Sequence, residues 1–300
     1  MSNQAHRRTP LLDEIQVGVI GGSGFYQIEG LEDAATVSVE TPFGEPSDEL
    51  VVGTLGGVRV AFLPRHGVGH RYSPSEVPAR ANIYALKALG ATHVVSISAV
   101  GSLRQELAPR DVVIPDQLLD RTKGVRPASF FGEGVVAHIS FGEPYCPEVS
   151  AILVDVARQT GGGVHAGGTL VVMEGPQFST KAESQAYRQL GAHLIGMTAL
   201  PEAKLAREAE LCYATLAMVT DYDCWHESEE HVTVEMVVAN MQANVARAKA
   251  IVKAALPRIA ASAGECACGH ALAGAIMTRP DAIPKDRRQQ LDLLIGKYLP

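Results

Sequence analysis

The sequence predicts an α/β domain in which helices cover both faces of a mixed β-sheet. Of its 300 residues, 46% are apolar and 20% are charged, a balance typical of a chain that buries a substantial core. Runs of β-branched and apolar residues between glycine or polar turns predict strands, and the first of these follow one another as hairpins. Later strands alternate with amphipathic helical patterns, which is the order expected when helices pack on a sheet.

Each predicted strand is an apolar run that stops at a turn signal. The first run stops at Gly21-Gly22 and the fourth at Pro64-Arg65, whereas the last stops at Thr220-Asp221. In chain order the predicted strands are residues 16–21, 35–39, 49–55, 58–64, 93–99, 111–115, 168–173, 193–197 and 211–220.

The predicted helices have apolar residues at three- and four-residue spacing, so each presents one apolar face to the sheet. Residues 148–159 show this pattern clearly, with Val149, Leu153 and Val156 on one face. The predicted helices are residues 75–89, 148–159, 180–190, 200–209 and 233–261.

We expect one domain with a short tail. Residues 1–15 are polar, and no apolar stretch of the signal-peptide type follows Arg7 and Arg8, so a mobile tail is predicted there. Residues 16–300 are predicted to form a single domain. Within it, residues 263–300 change in composition, and we expect this segment to pack at a subunit interface.

The charge and composition disfavour several classes of partner. With 26 basic and 33 acidic residues the net charge is −7, and aromatic residues are only 5% of the chain, so nucleic acid is not expected as a partner. Because no apolar run approaches the ~18 residues of a membrane span, no membrane partner is expected either. An anionic ligand would need a local pocket.

The five cysteines are too few and too scattered for a secreted disulfide framework, so we expect the cytoplasm. Cys266 and Cys268 form the one sequence cluster, and reduced thiols are the first expectation for them. A redox-labile disulfide between these two is the second. Zinc ranks last, because a tetrahedral site needs a fourth ligand that the neighbouring sequence does not offer.

A glycine turn follows the first predicted strand and could bind an anion. In Gly21-Gly22-Ser23-Gly24, backbone N–H groups and the Ser23 hydroxyl could cradle a phosphate. The dinucleotide fingerprint fails at Gln27, the nucleophile elbow fails at Phe25, and a Walker Gly-Lys-Ser/Thr is absent from the sequence. A tight turn with a surface serine remains the alternative.

Further polar groups follow other strands, where ligands bind in α/β sheets. Arg65 and His66 pair a guanidinium with an imidazole, which suits an anion, although a surface pair is the alternative. Ser98 ends another strand. Phe178, followed by two hydroxyl residues, could stack on a planar ring.

Asp221 and Asp223 lie two residues apart after the last predicted strand. In an extended chain they share a face. Such a pair could bind a metal, act as an acid/base pair on a glycosidic bond, or hydrogen-bond to a nitrogenous base. Two exposed loop carboxylates are the remaining alternative.

Taken in chain order, these motifs resemble those of the purine nucleoside phosphorylase superfamily, and within it the 5′-methylthioadenosine phosphorylase branch. The resemblance covers about residues 17–256. It is carried by Gly21-Gly22-Ser23-Gly24, Thr41-Pro42-Phe43-Gly44, Pro64-Arg65-His66-Gly67, Ser98-Ala99-Val100-Gly101-Ser102-Leu103, Val172-Met173-Glu174-Gly175-Pro176-Gln177-Phe178-Ser179, Gly196-Met197-Thr198 and Thr220-Asp221-Tyr222-Asp223-Cys224-Trp225.

The resemblance implies a nucleoside phosphorylase-like fold, a three-layer αβα sandwich with a mixed central sheet, assembled as a homotrimer or as a homohexamer of two trimers. It implies phosphorolysis of S-methyl-5′-thioadenosine to adenine and 5-methylthioribose 1-phosphate, in purine and methionine salvage. Inorganic phosphate is then a co-substrate, and no other cofactor and no metal is expected. A 6-oxopurine nucleoside or methylthioinosine phosphorylase is the alternative, followed by a nucleoside hydrolase and a purine- or phosphate-binding sensor.

The resemblance also implies roles for individual residues. Asp221 and Asp223 become the catalytic groups, facing the base. The phosphate-binding set is Ser23, Arg65, His66, Ser98, Ala99, Ser179 and Thr198. The substrate-binding set is Phe178, Gly196, Met197, Val234, Val237, Val238 and, reaching in from a neighbouring chain, His138.

Physical chemistry is consistent with these roles. Glycosidic cleavage passes through an oxocarbenium-like sugar, so a phosphate must be held beneath it and the charge growing on the purine must be neutralised. A carboxyl group accepts from the amino group of adenine, so Asp221 and Asp223 favour a 6-aminopurine over a 6-oxopurine. Gly196 stands where some relatives carry Asn, which leaves the finer specificity open.

Overall fold

The computed structural model describes residues 15–22, 28–226, 234–262 and 266–300, with the side chains at 236, 237, 239 and 241 left outside that description. The predicted tail at residues 1–15 therefore lies outside the described residues except for its last position.

Within the described residues, eleven strands form one mixed sheet. They are β1 (Val17–Gly21), β2 (Glu32–Val37), β3 (Leu50–Leu55), β4 (Val58–Pro64), β5 (His93–Ser102), β6 (Val112–Ile114), β7 (Gln117–Arg121), β8 (Val164–Ala166), β9 (Thr169–Met173), β10 (Leu194–Gly196) and β11 (Cys212–Asp221).

The strand order β2-β3-β4-β1-β5-β10-β9-β7 confirms the predicted mixed sheet, and β11 with β6 and β8 branches from β5. β2, β3 and β4 pair antiparallel, as the hairpin pattern predicts. β1 runs parallel to both β4 and β5, and β11 runs parallel to β5. The carboxyl ends of these four central strands therefore lie along one edge of the sheet, where a ligand site is expected.

Helices cover both faces of this sheet, which confirms the three-layer arrangement. The apolar sides of α1, α4 and residues 272–295 pack on one face, and those of α2 and α5 pack on the other. The helices are α1 (Ala79–Ala88), α2 (Pro147–Gln159), α3 (Lys181–Gln189), α4 (Ala199–Glu208), α5 (Val234–Ala261), α6 (Lys285–Gln290) and α7 (Asp292–Ile295). No helix among the described residues is long and apolar enough to cross a membrane.

The structure corrects the sequence prediction at three elements. α1 begins at Ala79 rather than Ser75, because Pro78 disfavours the helical conformation at the residue before it. β7 and β8 were not predicted. β8 is only three residues long, and β7 is a mixed polar and apolar segment that pairs parallel with β9, so neither shows a clear apolar run.

A β-bulge marks the carboxyl end of β11. Val219 lies opposite Val100 of β5, but Asp221 rather than Thr220 lies opposite Gly101. Thr220 is therefore an extra residue, and its hydroxyl oxygen lies 3.2 Å from the Val100 carbonyl oxygen. Bulges of this kind redirect side chains and are common beside functional sites.

The fold brings two further cysteines to the Cys266–Cys268 pair from outside the neighbouring sequence. Cys146 immediately precedes α2 and Cys212 begins β11, yet the fold brings both to Cys266 and Cys268. The four sulfur atoms all lie within 4.8 Å of one another. Only the tertiary structure could reveal this cluster, because the first of these cysteines is 120 residues from Cys266.

Candidate active site

Asp221 and Asp223 lie buried at the carboxyl end of the central strand β11. Asp221 is 7% exposed and Asp223 is 8% exposed, so the alternative of two solvent-exposed loop carboxylates is wrong. The Asp221 carboxylate is held at both oxygens, because Oδ2 accepts from the Thr220 hydroxyl at 2.7 Å and Oδ1 accepts from the Asp223 N–H at 2.8 Å. These bonds suit an ionised Asp221 with a fixed orientation.

Asp223 is in a different environment from its neighbour. Burial raises the pKa of Asp223 to about 6, and the nearby Asp221 carboxylate acts in the same direction. Its Oδ2 is buried and has no hydrogen-bond partner within the described residues. The backbone at Asp223 has φ of 52°, an uncommon conformation for a residue other than glycine. Asp223 is therefore suited to hold a proton that it can donate.

Gly101 leaves the space that the Asp221 carboxylate occupies. A Cβ atom at this position would lie 2.9 Å from Asp221 Oδ1 and 2.9 Å from Ile195 Cγ2. Both distances are shorter than real Cβ contacts. The absence of a side chain at Gly101 therefore fixes how closely β5 approaches the aspartate pair.

Arg65 follows β4 and lies at the same edge of the sheet, but it is 2% exposed. Its Nε and Nη2 atoms donate to the two carboxylate oxygens of Glu202 in α4 at 2.9 and 3.1 Å. Nη2 also donates to Ser96 Oγ at 2.7 Å, and Nη1 donates to the Ile97 carbonyl at 2.9 Å. Arg65 is thus the anchor of a buried ion pair as well as a candidate anion ligand, and the alternative of a surface pair is wrong.

Glu202 was not singled out from the sequence. In addition to Arg65, its Oε1 atom accepts hydrogen bonds from Ser96 Oγ at 2.7 Å and from the Tyr213 hydroxyl at 2.8 Å. It fixes the Arg65 guanidinium in a single orientation. Nothing in the sequence of α4 indicates this role, because the partner is 137 residues away.

His66 is held in one tautomer beside Arg65. Its Nδ1 atom lies 2.8 Å from the Tyr72 carbonyl, which can only accept, so Nδ1 carries the proton. Burial, together with the positive charge of Arg65, lowers the pKa of His66 to about 4. Its ring stacks on His70 with 4.3 Å between ring centres. His66 is therefore neutral near pH 7, with Nε2 as an acceptor unless an anion binds beside it.

The structure brings Ser98 and Thr198 together from distant parts of the chain. Their hydroxyl oxygens lie 3.3 Å apart, with Ser98 in β5 and Thr198 immediately before α4. Ala99 is the next residue of β5 and is exposed. Arg65 donates to the carbonyl of Ile97, the residue before Ser98 in β5. Ser98, Ala99, Thr198 and Arg65 are therefore neighbours, and they are here called the hydroxyl–guanidinium cluster.

Ser179 contacts the aspartate loop, which is the name used here for residues 221–225. The Ser179 carbonyl accepts from the Cys224 thiol at 3.2 Å, and its hydroxyl donates to Met173 Sδ at 3.3 Å. Phe178 is 49% exposed, so its side chain is only partly covered by the rest of the chain.

A buried Arg126–Glu174 pair connects the loops that carry the remaining candidates. Arg126 Nε donates to Glu174 Oε1 at 2.8 Å, and Nη1 donates to the carbonyls of Met197 at 2.6 Å and Leu200 at 2.8 Å. Glu174 also accepts from the Ser75 hydroxyl. Arg126 therefore positions the turn containing Met197. Sequence reasoning missed this residue, which lies in a segment without a regular pattern.

Four further candidate residues lie at the end of β10, at the start of α5 and beside the C-terminal segment. Gly196 ends β10 and is half-buried. At the start of α5, Val234 is 63% exposed and Val238 is 38% exposed. Ser23 and the side chain of Val237 lie outside the described residues. The side chain of His138 is exposed. The backbone N–H of His138 donates to the Ala275 carbonyl at 2.9 Å, which joins this residue to the C-terminal segment.

Residues 16–257 match the sequence model of the family described as the phosphorylase superfamily. Two curated relatives are named S-methyl-5′-thioadenosine phosphorylase. The one from Geobacter sulfurreducens is 55% identical over 283 residues, which are 94% of this chain and 99% of the relative. The one from Chloroflexus aurantiacus is 57% identical over 282 residues, covering 94% of this chain and 98% of the relative.

Solved structures show the same similarity. A methylthioadenosine phosphorylase from an antarctic soil metagenomic library superposes with a TM-score of 0.89 at 50% identity, covering 93% of this chain and 98% of that one. A mutant adenosine/methylthioadenosine phosphorylase from Schistosoma mansoni in complex with methylthioadenosine superposes with a TM-score of 0.82 at 38% identity. That match covers 90% of this chain and 100% of the other.

Proposed function

The chain belongs to the phosphorylase superfamily, and we propose that it cleaves S-methyl-5′-thioadenosine with inorganic phosphate to give adenine and 5-methylthioribose 1-phosphate. The observation that carries this proposal is 55–57% identity, over nearly the full length of both chains, to enzymes named for that reaction. In this proposal phosphate is a co-substrate and no cofactor takes part.

We assign phosphate binding to the hydroxyl–guanidinium cluster. Ser98 and Thr198 offer hydroxyl donors, and the backbone beside Ala99 lies at the same strand end. Arg65 supplies positive charge, and its Nη1 has a second N–H besides the one bonded to Ile97. His66 is neutral in the free protein, and a bound phosphate dianion would raise its pKa, so phosphate binding favours its protonation.

We assign the purine to the aspartate loop. As the bond to the sugar breaks, negative charge grows on the leaving base, and protonation of the base removes it. Asp223, which holds a proton more readily than an ordinary carboxyl group, is suited to donate it. Asp221 is fixed as a carboxylate and is suited to accept from the amino group of adenine. The exposed ring of Phe178 supplies a stacking surface.

We assign the methylthio group to the start of α5. Val234 and Val238 expose apolar side chains there, and a thioether is better accommodated by such a surface than a 5′-hydroxyl group is. The amide Nδ2 of Asn240 donates to the Thr220 carbonyl at 2.6 Å, which ties this part of α5 to the end of β11. The 5′ end of the substrate and its base are thereby bound by connected elements.

The test is release of adenine from methylthioadenosine, with and without phosphate. We expect adenine and a sugar phosphate only when phosphate is present. Methylthioinosine and adenosine serve as matched substrates that change the base or the 5′ group alone, and both should give lower kcat/KM. Adenine release without phosphate would indicate a hydrolase, and preferred cleavage of methylthioinosine would contradict the assignment to 6-aminopurines.

The close approach at Gly101 gives a first mutational prediction. We expect Gly101→Ala to lower kcat/KM by roughly 10²-fold, because the new Cβ displaces the Asp221 carboxylate and small misplacements carry costs of this order. The measurement is steady-state kinetics together with thermal unfolding. Gly142→Ala is the matched control, since a Cβ at Gly142 meets nothing within 4 Å. Equal kinetics for the two variants would contradict the geometry.

We further propose that the enzyme is a homotrimer or a homohexamer in which His138 completes the site of a neighbouring chain. His138 is exposed on this chain, and apolar side chains are exposed beside it, with Val136 at 46% and Met277 at 63%. The N–H of Met277 donates to the carbonyl of Val136, so the two residues are adjacent. Exposed apolar surface around a polar side chain supports contact with a second copy.

Subunit exchange tests this proposal. Asp223→Asn chains and His138→Ala chains are mixed, exchanged and assayed. If the site is shared, some mixed oligomers pair an intact Asp223 with an intact His138, so activity should exceed that of both parent variants. Native mass spectrometry serves as the control for exchange. Confirmed exchange without any gain in activity would place the whole site within one chain.

A further inference from the structure

Four of the five cysteines meet in one place that the proposed reaction does not use. The sulfur atoms of Cys146, Cys212, Cys266 and Cys268 all lie within 4.8 Å of one another. Cys146 and Cys266 are 3.9 Å apart, and Cys212 and Cys266 are 2.9 Å apart. We propose that this cluster is a tetrahedral tetrathiolate site for a structural Zn²⁺ ion.

The donor set and its dimensions fit zinc. With zinc–sulfur bonds of about 2.3 Å, the edges of a tetrahedral zinc tetrathiolate are about 3.8 Å long. The Cys146–Cys266 distance is already close to that value. The sulfur atoms of Cys212 and Cys266 must move apart by roughly 1 Å to reach it. Cys266 is the least buried member of the cluster, so its side chain has the most room to move. Four thiolates form a soft donor set that selects zinc over magnesium or calcium.

The surroundings of the cluster suit the negative charge of four thiolates around one divalent ion. Cys146 immediately precedes α2 and so lies at the N-terminus of that helix, where the helix dipole stabilises negative charge. Lys87 lies near enough to Cys212 to interact with it electrostatically, and Arg207 lies near enough to Cys268. Cations placed beside the ligands in this way stabilise metal thiolates.

Zinc binds thiolates, so the four cysteine thiols must lose their protons when the ion binds. Zn²⁺ takes the place of those protons, which are released to solvent. No oxidation of sulfur is involved.

The position of the cluster points to a structural role. Cys212 is the first residue of β11 and Asp221 is the last, so the cluster and the aspartate pair are about 30 Å apart along the strand. Cys266 and Cys268 belong to the C-terminal segment, which also binds Glu210 through the N–H of Leu272 at 2.9 Å. A metal at the cluster would attach this segment to the amino end of the central strand.

The experiment measures metal in the full-length protein, purified under reducing conditions and incubated with ZnSO₄ before desalting. We expect about one zinc per chain by elemental analysis. Co²⁺ in place of zinc should give the intense visible bands of a tetrahedral cobalt thiolate. A chelator should lower the Tm and leave kcat almost unchanged at a temperature well below unfolding.

Cys268→Ser removes one of the four ligands. We expect it to lower zinc affinity by more than about 10–100-fold, which is the usual loss when a residue that only supports a ligand is replaced. Cys266→Ser removes the least buried ligand and provides a second variant should Cys268→Ser fold poorly. Cys224→Ser is the matched control, because Cys224 is outside the cluster and should leave the zinc content unchanged. Two results would overturn the proposal. One is less than a tenth of an equivalent of zinc in the wild type under these conditions; the other is a mass showing that the four thiols pair as disulfides that exclude zinc.

Discussion

Replacing Asp223 with asparagine is expected to lower kcat by roughly 10²–10⁴-fold, the usual contribution of a positioned general acid. The amide keeps the size of the side chain but cannot transfer a proton to the leaving base. Thermal unfolding should show that Asp223→Asn folds, because its Oδ2 atom has no described partner to lose. A kcat within a few-fold of the wild type would remove Asp223 from the chemistry.

The pH dependence makes this prediction more specific. Only protonated Asp223 can donate, so at saturating phosphate the wild-type kcat/KM for the nucleoside should fall as pH rises above the pKa of about 6. The Asp223→Asn variant should lack this alkaline limb. The matched variant Asp221→Asn should keep the limb but shift it to lower pH, because the Asp221 carboxylate helps to raise the pKa of Asp223. An unshifted limb in Asp221→Asn would contradict the coupling.

Replacing Arg65 with alanine is expected to lower the free energy of unfolding by about 3–5 kcal/mol, because the change leaves Glu202 charged and unpaired at 3% exposure. Chemical denaturation measures this loss. The KM for phosphate should rise as well, but a partly unfolded variant would obscure that effect.

A double variant separates the two consequences. In Arg65→Ala/Glu202→Gln the buried negative charge is absent, while the glutamine carbonyl can still accept from Ser96 and Tyr213. We expect most of the stability to return, since removing both charges is far less costly than removing one. The KM for phosphate should remain high, and the KM for the nucleoside should change less. Recovery of the phosphate KM along with stability would mean that Arg65 is only structural.

The aspartate pair could be predicted from sequence because its geometry is local. Two carboxylates separated by one residue, directly after a long apolar strand, must reach the edge of the sheet together. The same logic places Arg65 at that edge, since it follows a strand that runs parallel to its neighbour. The mixed sheet and the helices on both faces also follow from local patterns of apolar residues.

What could not be predicted depends on contacts between distant segments. Glu202 looks like an ordinary helical glutamate until the fold places it against Arg65. Arg126 has no regular pattern around it, yet its side chain joins Glu174, which follows β9, to the turn between β10 and α4. The sequence near Cys266 and Cys268 offers two ligands, and the other two come from the start of α2 and the start of β11. Such partners are chosen by tertiary structure, and a single sequence carries no record of them.

The bulge at the end of β11 makes chain length itself a determinant of specificity. Because Thr220 is an extra residue relative to β5, Asp221 lies opposite Gly101, a position that an uninterrupted ladder would give to Thr220. Deleting Thr220 would let Asp221 follow Val219 directly and keep its place opposite Gly101, but it would remove the hydroxyl that donates to Asp221 Oδ2 and the local bend that a bulge introduces. A deletion here would therefore change the orientation of the Asp221 carboxylate without removing either aspartate, and homologues are expected to preserve this spacing.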